Sequence, residues 1–378
     1  MRSNYRRLGD YIKESKARNS ELKATNLLGI NIEKFFMPSV ANVVGTDMSV
    51  YKIVSRSQFA CNRMHVGRDY RLPISLSKSD EEFIVSPAYD VFEIKDPETL
   101  SPEFLMMWFS RREFDRNAWF YTDADVRGGL HWKALCDMQL PIPSPAKQKE
   151  IVKEYNTIVN RINLNKELIQ KLEETAQAIY KQWFVDFEFP DENGKAYKSS
   201  GGEMVESELG EIPGWWQVDE LHKIVLFKNG KSKPTKKGQY PVYGGNGIIE
   251  YVDKNNDENV IAIGRVGAYC GSLYRVLGRC WISDNAISAQ SRIDANMFSY
   301  YVLNSLKLNE RSEGTGQPLI TQGLLNAIKI LIPGDAIINK FENINILIFR
   351  NQDKINKENE KLEDLKSLLL SKLATIEN

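Results

Sequence analysis

Residues 151–183 read IVKEYNTIVNRINLNKELIQKLEETAQAIYKQW. From Ile151 onward, Tyr155, Ile158, Ile162, Asn165, Ile169, Leu172, Ala176, Ile179 and Trp183 follow one another at alternating steps of four and three. That is the seam spacing of a coiled coil. Ser144 and Pro145 supply an N-cap and a first-turn proline, and Pro190 closes the segment after WFVDFEF. Helix over 146–183 would span about 57 Å at ~1.5 Å per residue. One helix cannot bury such a stripe by itself, so the pattern predicts a partner.

The partner is in the same chain. A shift of 190 residues pairs Leu135 with Leu325, Ile142-Pro143 with Ile332-Pro333, Ala146 with Ala336, Ile158 with Ile348, and KLEE at 171–174 with KLED at 361–364. In this second copy one seam column, Phe341, Ile348, Ile355, Leu362 and Leu369, is wholly apolar. The other column reads Asn345, Gln352, Asn359, Lys366 and Leu373. Two tandem units follow, each a globular segment and then a long helix. The expected class is α+β, with two mixed α/β domains separated by two long antiparallel coiled-coil helices in a pseudo-twofold repeat. The expected boundaries are 1–143 for the first globular domain, 144–190 for the first helix, 191–333 for the second globular domain and 334–378 for the second helix. Residues 191–214, with six acids and no apolar period, read as a linker. Single helices are expected at 101–114 and 295–307.

Composition narrows the function. The chain has 378 residues, 42% hydrophobic and 26% charged, which is ordinary globular usage and room for more than one domain. No apolar run is long enough for a membrane span, and the opening MRSNYRR lacks a secretory core, so a cytoplasmic protein without membrane contact is expected. Four scattered cysteines and three histidines suggest neither disulfides nor a metal site. Lys plus Arg and Asp plus Glu are 50 each, so nucleic acid is not coated along the whole surface. The cations are nonetheless clustered. Lys223, Lys228, Lys231, Lys233, Lys236 and Lys237 share residues 221–240 with no acid, and Lys52, Arg56, Arg63, Arg68 and Arg71 share 52–71 with Asp69 alone.

Catalytic signatures are missing. GKS at 230–232 ends like a phosphate-binding loop, but Val225 stands where its first glycine belongs. No N-P-P-Y or D-P-P-Y tetrapeptide occurs, and no acid-x-Lys triplet follows Asp191 in the right neighbourhood. The chain by itself therefore reads as no enzyme, with no catalytic or metal residues. What it offers is residue types suited to DNA. Lys231, Lys233, Lys236 and Lys237 suit phosphate contacts. Arg265 in GRVG, Asn246 beside Tyr243 in YGGNG, and Gln317 in GTGQP can read purine edges by paired hydrogen bonds. In the first copy Arg63, Arg68 and Arg71, and the RGGLHW turn with Arg127, Gly128 and His131, are comparable. Two other classes compete with a DNA reader: a self-sufficient nuclease or methyltransferase, and a coiled-coil scaffold whose globular ends bind proteins.

The letters also resemble a known family. LPIPSPAKQKEIV at 140–152, IYKQWFVDFEFP at 179–190, ELGEIPGWW at 208–216, YPVYGGNGIIEYVD at 240–253, IAIGRVGAYCGS at 261–272 and WISDNAI at 281–287 are similar to the specificity subunits of type I restriction-modification systems. The resemblance implies two target-recognition domains, each reading half of a bipartite asymmetric site in double-stranded DNA. It implies conserved helices that act as spacer and dock two methyltransferase subunits, which an ATP-driven restriction/translocase pair joins in a full restriction complex. Cofactors would sit on those partners: S-adenosylmethionine on the methyltransferase, ATP and Mg on a restriction subunit, none on this chain. The chain departs from the family at Lys147, where an acid usually precedes Gln148, and at Ile338, the counterpart of that glutamine in the second copy.

Overall fold

The computed structural model describes residues 5–41, 45–64, 66–122, 128–312 and 318–376; Arg127 and Gln317 lie outside them. Contacts divide the chain into one unit of residues 1–165 and 357–378 and another of residues 166–356.

In the first unit, strands β1 (Ile12–Ser15), β2 (Phe59–Cys61), β3 (Ile74–Leu76) and β4 (Asp90–Ile94) form an antiparallel sheet of order β1-β4-β2-β3. Phe59, Ala60 and Cys61 are all buried, as an apolar run in a central strand requires. Helices α1 (Pro102–Phe109) and α2 (Arg112–Phe120) follow. The single helix expected at 101–114 is thus two. Arg111 takes an extended conformation and turns its buried guanidinium onto Trp108, 4.2 Å from the ring centre, which breaks the helix there.

The next helix, α3 (Pro145–Phe184), gives residues 145–165 to the first unit and 166–184 to the second. The second unit continues with β5 (Val225–Asn229), β6 (Lys237–Gly244), β7 (Gly247–Val252), β8 (Ile261–Gly264), β9 (Leu273–Arg275), β10 (Arg279–Ile282) and β11 (Ala286–Ser291). Here the antiparallel sheet has the order β5-β11-β8-β9. That is the strand order of the first unit. The duplication visible in the helices therefore extends through both globular parts, although their letters have diverged. The fringes agree as well. Tyr5–Arg7 pairs with Gln139–Pro141 in one unit and Gln217–Glu220 with Lys329–Ile332 in the other. A second small sheet, β7-β6-β10 with Asp257–Glu258, lies in the second unit, where the first has the two-stranded pairs Lys52–Val54 with Phe83–Val85 and Leu28–Ile30 with Phe36–Pro38. Helices α4 (Asn296–Ser305) and α5 (Asp335–Lys372) complete the chain.

Residues 191–214 are not the linker expected. Met204–Ser207 and Gly210–Pro213 form a hairpin, and Tyr197 stacks on Phe189 at 4.7 Å within a cluster that includes Trp215 and Trp216. The exposed acids hide this aromatic packing from a composition count.

Every seam position of α3 from Ile151 to Trp183, and of α5 from Phe341 to Leu369 with Leu373 just beyond its end, is buried or half-buried. In the first unit Arg161 holds the Glu358 carboxylate at 2.9 and 3.2 Å, Asn165 donates to Asn359 at 2.9 Å, and Ile151 shares a core with Leu370 and Leu373. In the second, Gln352 donates to the Ile169 carbonyl at 3.2 Å, and Trp183 lies 6.1 Å from Phe341. Rising numbers on α3 meet falling numbers on α5 within each unit, so the pairing is antiparallel. The amide contacts at Asn165, Asn359 and Gln352 are polar seam positions of the kind that specify register.

One departure in the second copy has a structural reason. Buried Gln148 accepts from the Ser101 N–H at 2.8 Å and donates to the Thr99 and Pro143 carbonyls at 2.9 Å each, fixing the start of α1 on α3. Its counterpart Ile338 cannot do this. One turn further along α5, the Glu342 carboxylate accepts from Met297 N–H and Phe298 N–H at 2.9 and 3.0 Å and fixes the start of α4 instead. Gln148→Ala would strand one N–H and two carbonyls, and is expected to cost about 2–3 kcal/mol in chemical denaturation. A loss under ~0.5 kcal/mol would show that water replaces the amide freely.

Candidate nucleic-acid interface

In the second unit, the end of β8 sets the site. A Cβ on Gly264 would lie 2.1 Å from the Tyr269 carbonyl, so only glycine permits the chain to reverse there. Gly271 N–H donates to the Gly264 carbonyl and Gly264 N–H to the Ser272 carbonyl, both at 2.8 Å, closing a loop over 265–270. The β6–β7 hairpin turns through Gly245 and Asn246, with Gly244 paired to Gly247. Gly245 passes beside this loop: a Cβ on it would touch Tyr269, Val266 and Asn285 at 3.6–3.9 Å. Arg265 N–H donates to the Asn285 carbonyl at 3.0 Å, and Lys231 N–H to the Ile282 carbonyl at 3.0 Å. Lys231, Asn246, Arg265, Tyr269 and Asn285 therefore gather at one end of the domain. Tyr269 and Asn285 were missed in the sequence because nothing local marks a turn residue as a neighbour of another turn.

Arg265 is half-buried, and its Nε is shielded without a hydrogen-bond partner. No carboxylate pairs with it among the described residues. An arginine so placed has donors to give, as a base edge or phosphate requires. Pro318 accepts from Gly267 N–H at 3.0 Å and Ile320 N–H donates to the Arg265 carbonyl at 2.9 Å, so the segment after Gln317 packs on this loop.

The lysine cluster does not act as one. Lys231 belongs to this end, Lys233 pairs with Glu250, and Lys236 lies 3.5 Å from Asp253. Lys237 pairs with Val252 at the opposite end of β6, about 23 Å from Gly244 at ~3.3 Å per residue. Tyr243 is half-buried against Tyr274, and burial pushes its phenol up to about 12, so it stays protonated.

The first unit repeats the loop with a different outcome. Gly67 N–H donates to the Gly128 carbonyl at 2.8 Å and Leu130 N–H to the Arg63 carbonyl at 2.9 Å, the counterparts of the Gly267 and Ile320 bonds. Gly128 is the close crossing point: a Cβ on Gly67 would lie 2.7 Å from its Cα. Arg63, however, is clasped by the Asp90 carboxylate and the Leu130 carbonyl and lies over Trp132. It braces the domain, with its charge paired and its Nε and one Nη committed. In the second unit the facing stretch is Ala286-Ile287, which leaves Arg265 without that carboxylate. Arg68 pairs with Asp69 and Arg71 with Glu33, both on the surface, and His131 is exposed at the start of helix Trp132–Asp137.

Among the described residues no group of His, Cys, Asp or Glu is placed to hold a metal, and no helix is long and apolar enough to cross a membrane.

Residues 213–367 match the family model described as the type I restriction modification DNA specificity domain. The EcoprrI type I restriction enzyme specificity subunit of Escherichia coli is 26% identical over 174 residues, covering 44% of this chain and 40% of that protein. The MjaIX specificity subunit of Methanocaldococcus jannaschii is 23% identical over 290 residues, covering 66% and 64%. The chain thus spans less than two thirds of these curated relatives. The crystal structure of a type I restriction-modification S subunit from M. genitalium superposes with a TM-score of 0.64 at 16% identity, over 99% of this chain and 96% of that one, and so shares its fold. A duplicated domain on paired helices, a specificity-domain model matching residues 213–367 and these relatives point the same way: the chain is similar to the specificity subunits of type I restriction-modification systems.

Proposed function

We propose that the chain is the non-catalytic DNA-reading subunit of a type I complex, each globular part reading one half of a bipartite site. The long helices serve as spacer and as dock for two methyltransferase subunits, which supply S-adenosylmethionine and methylate adenine. A restriction/translocase pair would bring ATP and Mg. The observation that carries this reading is one strand order built twice with different side chains on the equivalent loops: Arg265 without a carboxylate in one, Arg63 paired with Asp90 in the other. Two readers on a common scaffold suit two unlike half-sites. Docking is supported by leucines that the seam leaves outside. Leu164 and Leu168 on α3 and Leu347, Leu365 and Leu368 on α5 are exposed, and Leu365, Leu368 and Ile158 line a groove of about 410 Å³.

The test is exchange. Replacing residues 215–333 with the matching segment of a relative of different specificity, and sequencing the methylome of the host, is expected to alter one half of the methylated site. Alteration of both halves overturns modular reading. Arg265→Ala in the assembled complex is expected to relax preference at a base pair of that same half by about 1–3 kcal/mol.

A further inference from the structure

An aromatic cluster in the first unit is used by neither the seam nor the sheet. Helix α2 turns Phe114, Asp115 and Ala118 inward, with Asp115 bound to Lys34 at 2.7 Å, and leaves Arg112, Arg116, Trp119 and Phe120 outside. Trp119 is 45% exposed, Phe120 76%, and Tyr121 53%. Tyr70, 63% exposed, packs on Trp119 with ring centres 5.4 Å apart, and Phe120 meets Tyr121 at 5.4 Å. Single exposed aromatics are ordinary, but two touching pairs joined by consecutive residues are not. Tyr70 also holds a left-handed backbone, φ +56°, which a β-carbon resists and which concentrates at functional sites.

Two observations favour nucleic acid over protein as the occupant. Arg112 and Arg116 lie at i and i+4 on the same exposed helix face, and neither has a carboxylate partner among the described residues. Tyr70 moreover sits three residues before the return of the loop over 62–73, which is closed by Asn62 N–H to the Pro73 carbonyl at 2.9 Å. Exposed Tyr269 sits three residues before the return of the equivalent loop in the second unit, beside Arg265 and Asn246.

We propose that Tyr70, Trp119, Phe120 and Tyr121 form a wedge with which the first unit opens a base step of duplex DNA, while Arg112 and Arg116 hold the flanking phosphates. Apolar and aromatic side chains inserted at a step unstack it and bend the duplex, and a base exposed in this way stacks on the ring that displaced it. The inference rests on the DNA-reading function proposed above.

The full chain, assembled with its methyltransferase subunits, is titrated with duplexes of the methylated sequence carrying 2-aminopurine at successive positions. The methylated adenine is left out because a methyltransferase flips its own target base. Wild type is expected to brighten 2-aminopurine at one step of the half-site that exchange of residues 215–333 does not alter. The double variant Trp119→Ala/Phe120→Ala should lose that signal and bind about tenfold more weakly, with subunit composition and thermal midpoint unchanged. Arg112→Gln/Arg116→Gln should keep the signal and flatten the slope of log affinity against log salt by about two. Wild-type fluorescence and affinity in the aromatic variant overturn the wedge. So does loss of a methyltransferase subunit from that variant, which assigns the patch to a protein interface. A wild-type complex without sequence preference sinks the DNA-reading function as well, and shows this before any variant is made.

Discussion

Replacing Phe341 with alanine is expected to lower the unfolding free energy of the second unit by about 3–5 kcal/mol. Phe341 is fully buried at the start of the α5 seam. Five rings surround it: Phe184 at 5.0 Å, Tyr301 at 5.7 Å, Tyr180 at 5.9 Å, Trp183 at 6.1 Å and Phe298 at 6.4 Å between centres. Those rings come from the end of α3 and from α4, so one side chain joins the two long helices to the globular part they carry. Deleting it removes the burial of a large apolar ring and leaves a cavity whose rigid aromatic walls relax poorly. Trp183 borders that cavity and reports on it, so the loss is read as a shift in the midpoint of its denaturant-induced fluorescence change. Phe341→Leu, which keeps most of the volume, should lose about 1–2 kcal/mol. A loss below ~1 kcal/mol for alanine would mean that the rings close over the gap and that Phe341 is not the joint.

The seam that Phe341 opens was legible in the sequence because a heptad is a local pattern: positions three and four apart on one helix need no knowledge of the rest of the chain. The globular parts gave no such handle. Strands of three to six residues, such as Phe59–Cys61 and Ala286–Ser291, acquire their order only by pairing with segments far away in sequence. Their common arrangement was invisible in letters that no longer match. Charge counts misled in the same way. Arg63 and Arg265 look alike in sequence, and what separates them is whether the neighbouring strand offers Asp90 or Ala286-Ile287. Six lysines close in sequence are divided by the length of β6 and by Glu250 and Asp253. Trp119 carries no local mark in the sequence and gains meaning only because the fold sets Tyr70 against it.

Removing the Glu173 carboxylate, as in Glu173→Ala, is expected to cost the second unit about 3 kcal/mol, because it strands a buried arginine. Arg275 at the end of β9 is mostly buried, sandwiched between Phe349 of α5 at 4.4 Å and Tyr300 of α4 at 4.6 Å from the ring centres. It donates to Glu173 of α3 at 2.7 Å, to Gln352 of α5 at 3.2 Å and to the Tyr301 hydroxyl at 3.1 Å. Burial pushes Glu173 up, but the Arg275 charge, with hydrogen bonds from Arg275, Gln352 and Gln177, holds it below the ordinary glutamate value. A carboxyl lowered in the folded state stabilises above its unfolded pKa, and this contribution fades as pH falls through the folded value. Wild type should therefore hold the whole contribution above about pH 5 and lose it on acidification below ~4.3, the unfolded glutamate value, whereas Glu173→Gln should lack that part of the acid dependence. The paired variant Glu173→Leu/Arg275→Met separates stability from placement. Apolar replacement of a whole buried pair is often neutral, so most of the stability should return. What should not return is the directional tie between β9, which leads out of the Arg265 loop, and both long helices. Discrimination at the half-site read by the second unit should consequently fall in the paired variant at near-wild-type stability. Unchanged discrimination would reduce the cluster to packing, because a sheet held by apolar contact alone would then aim Arg265 as well as one bound to α3 and α5 by a fixed set of hydrogen bonds.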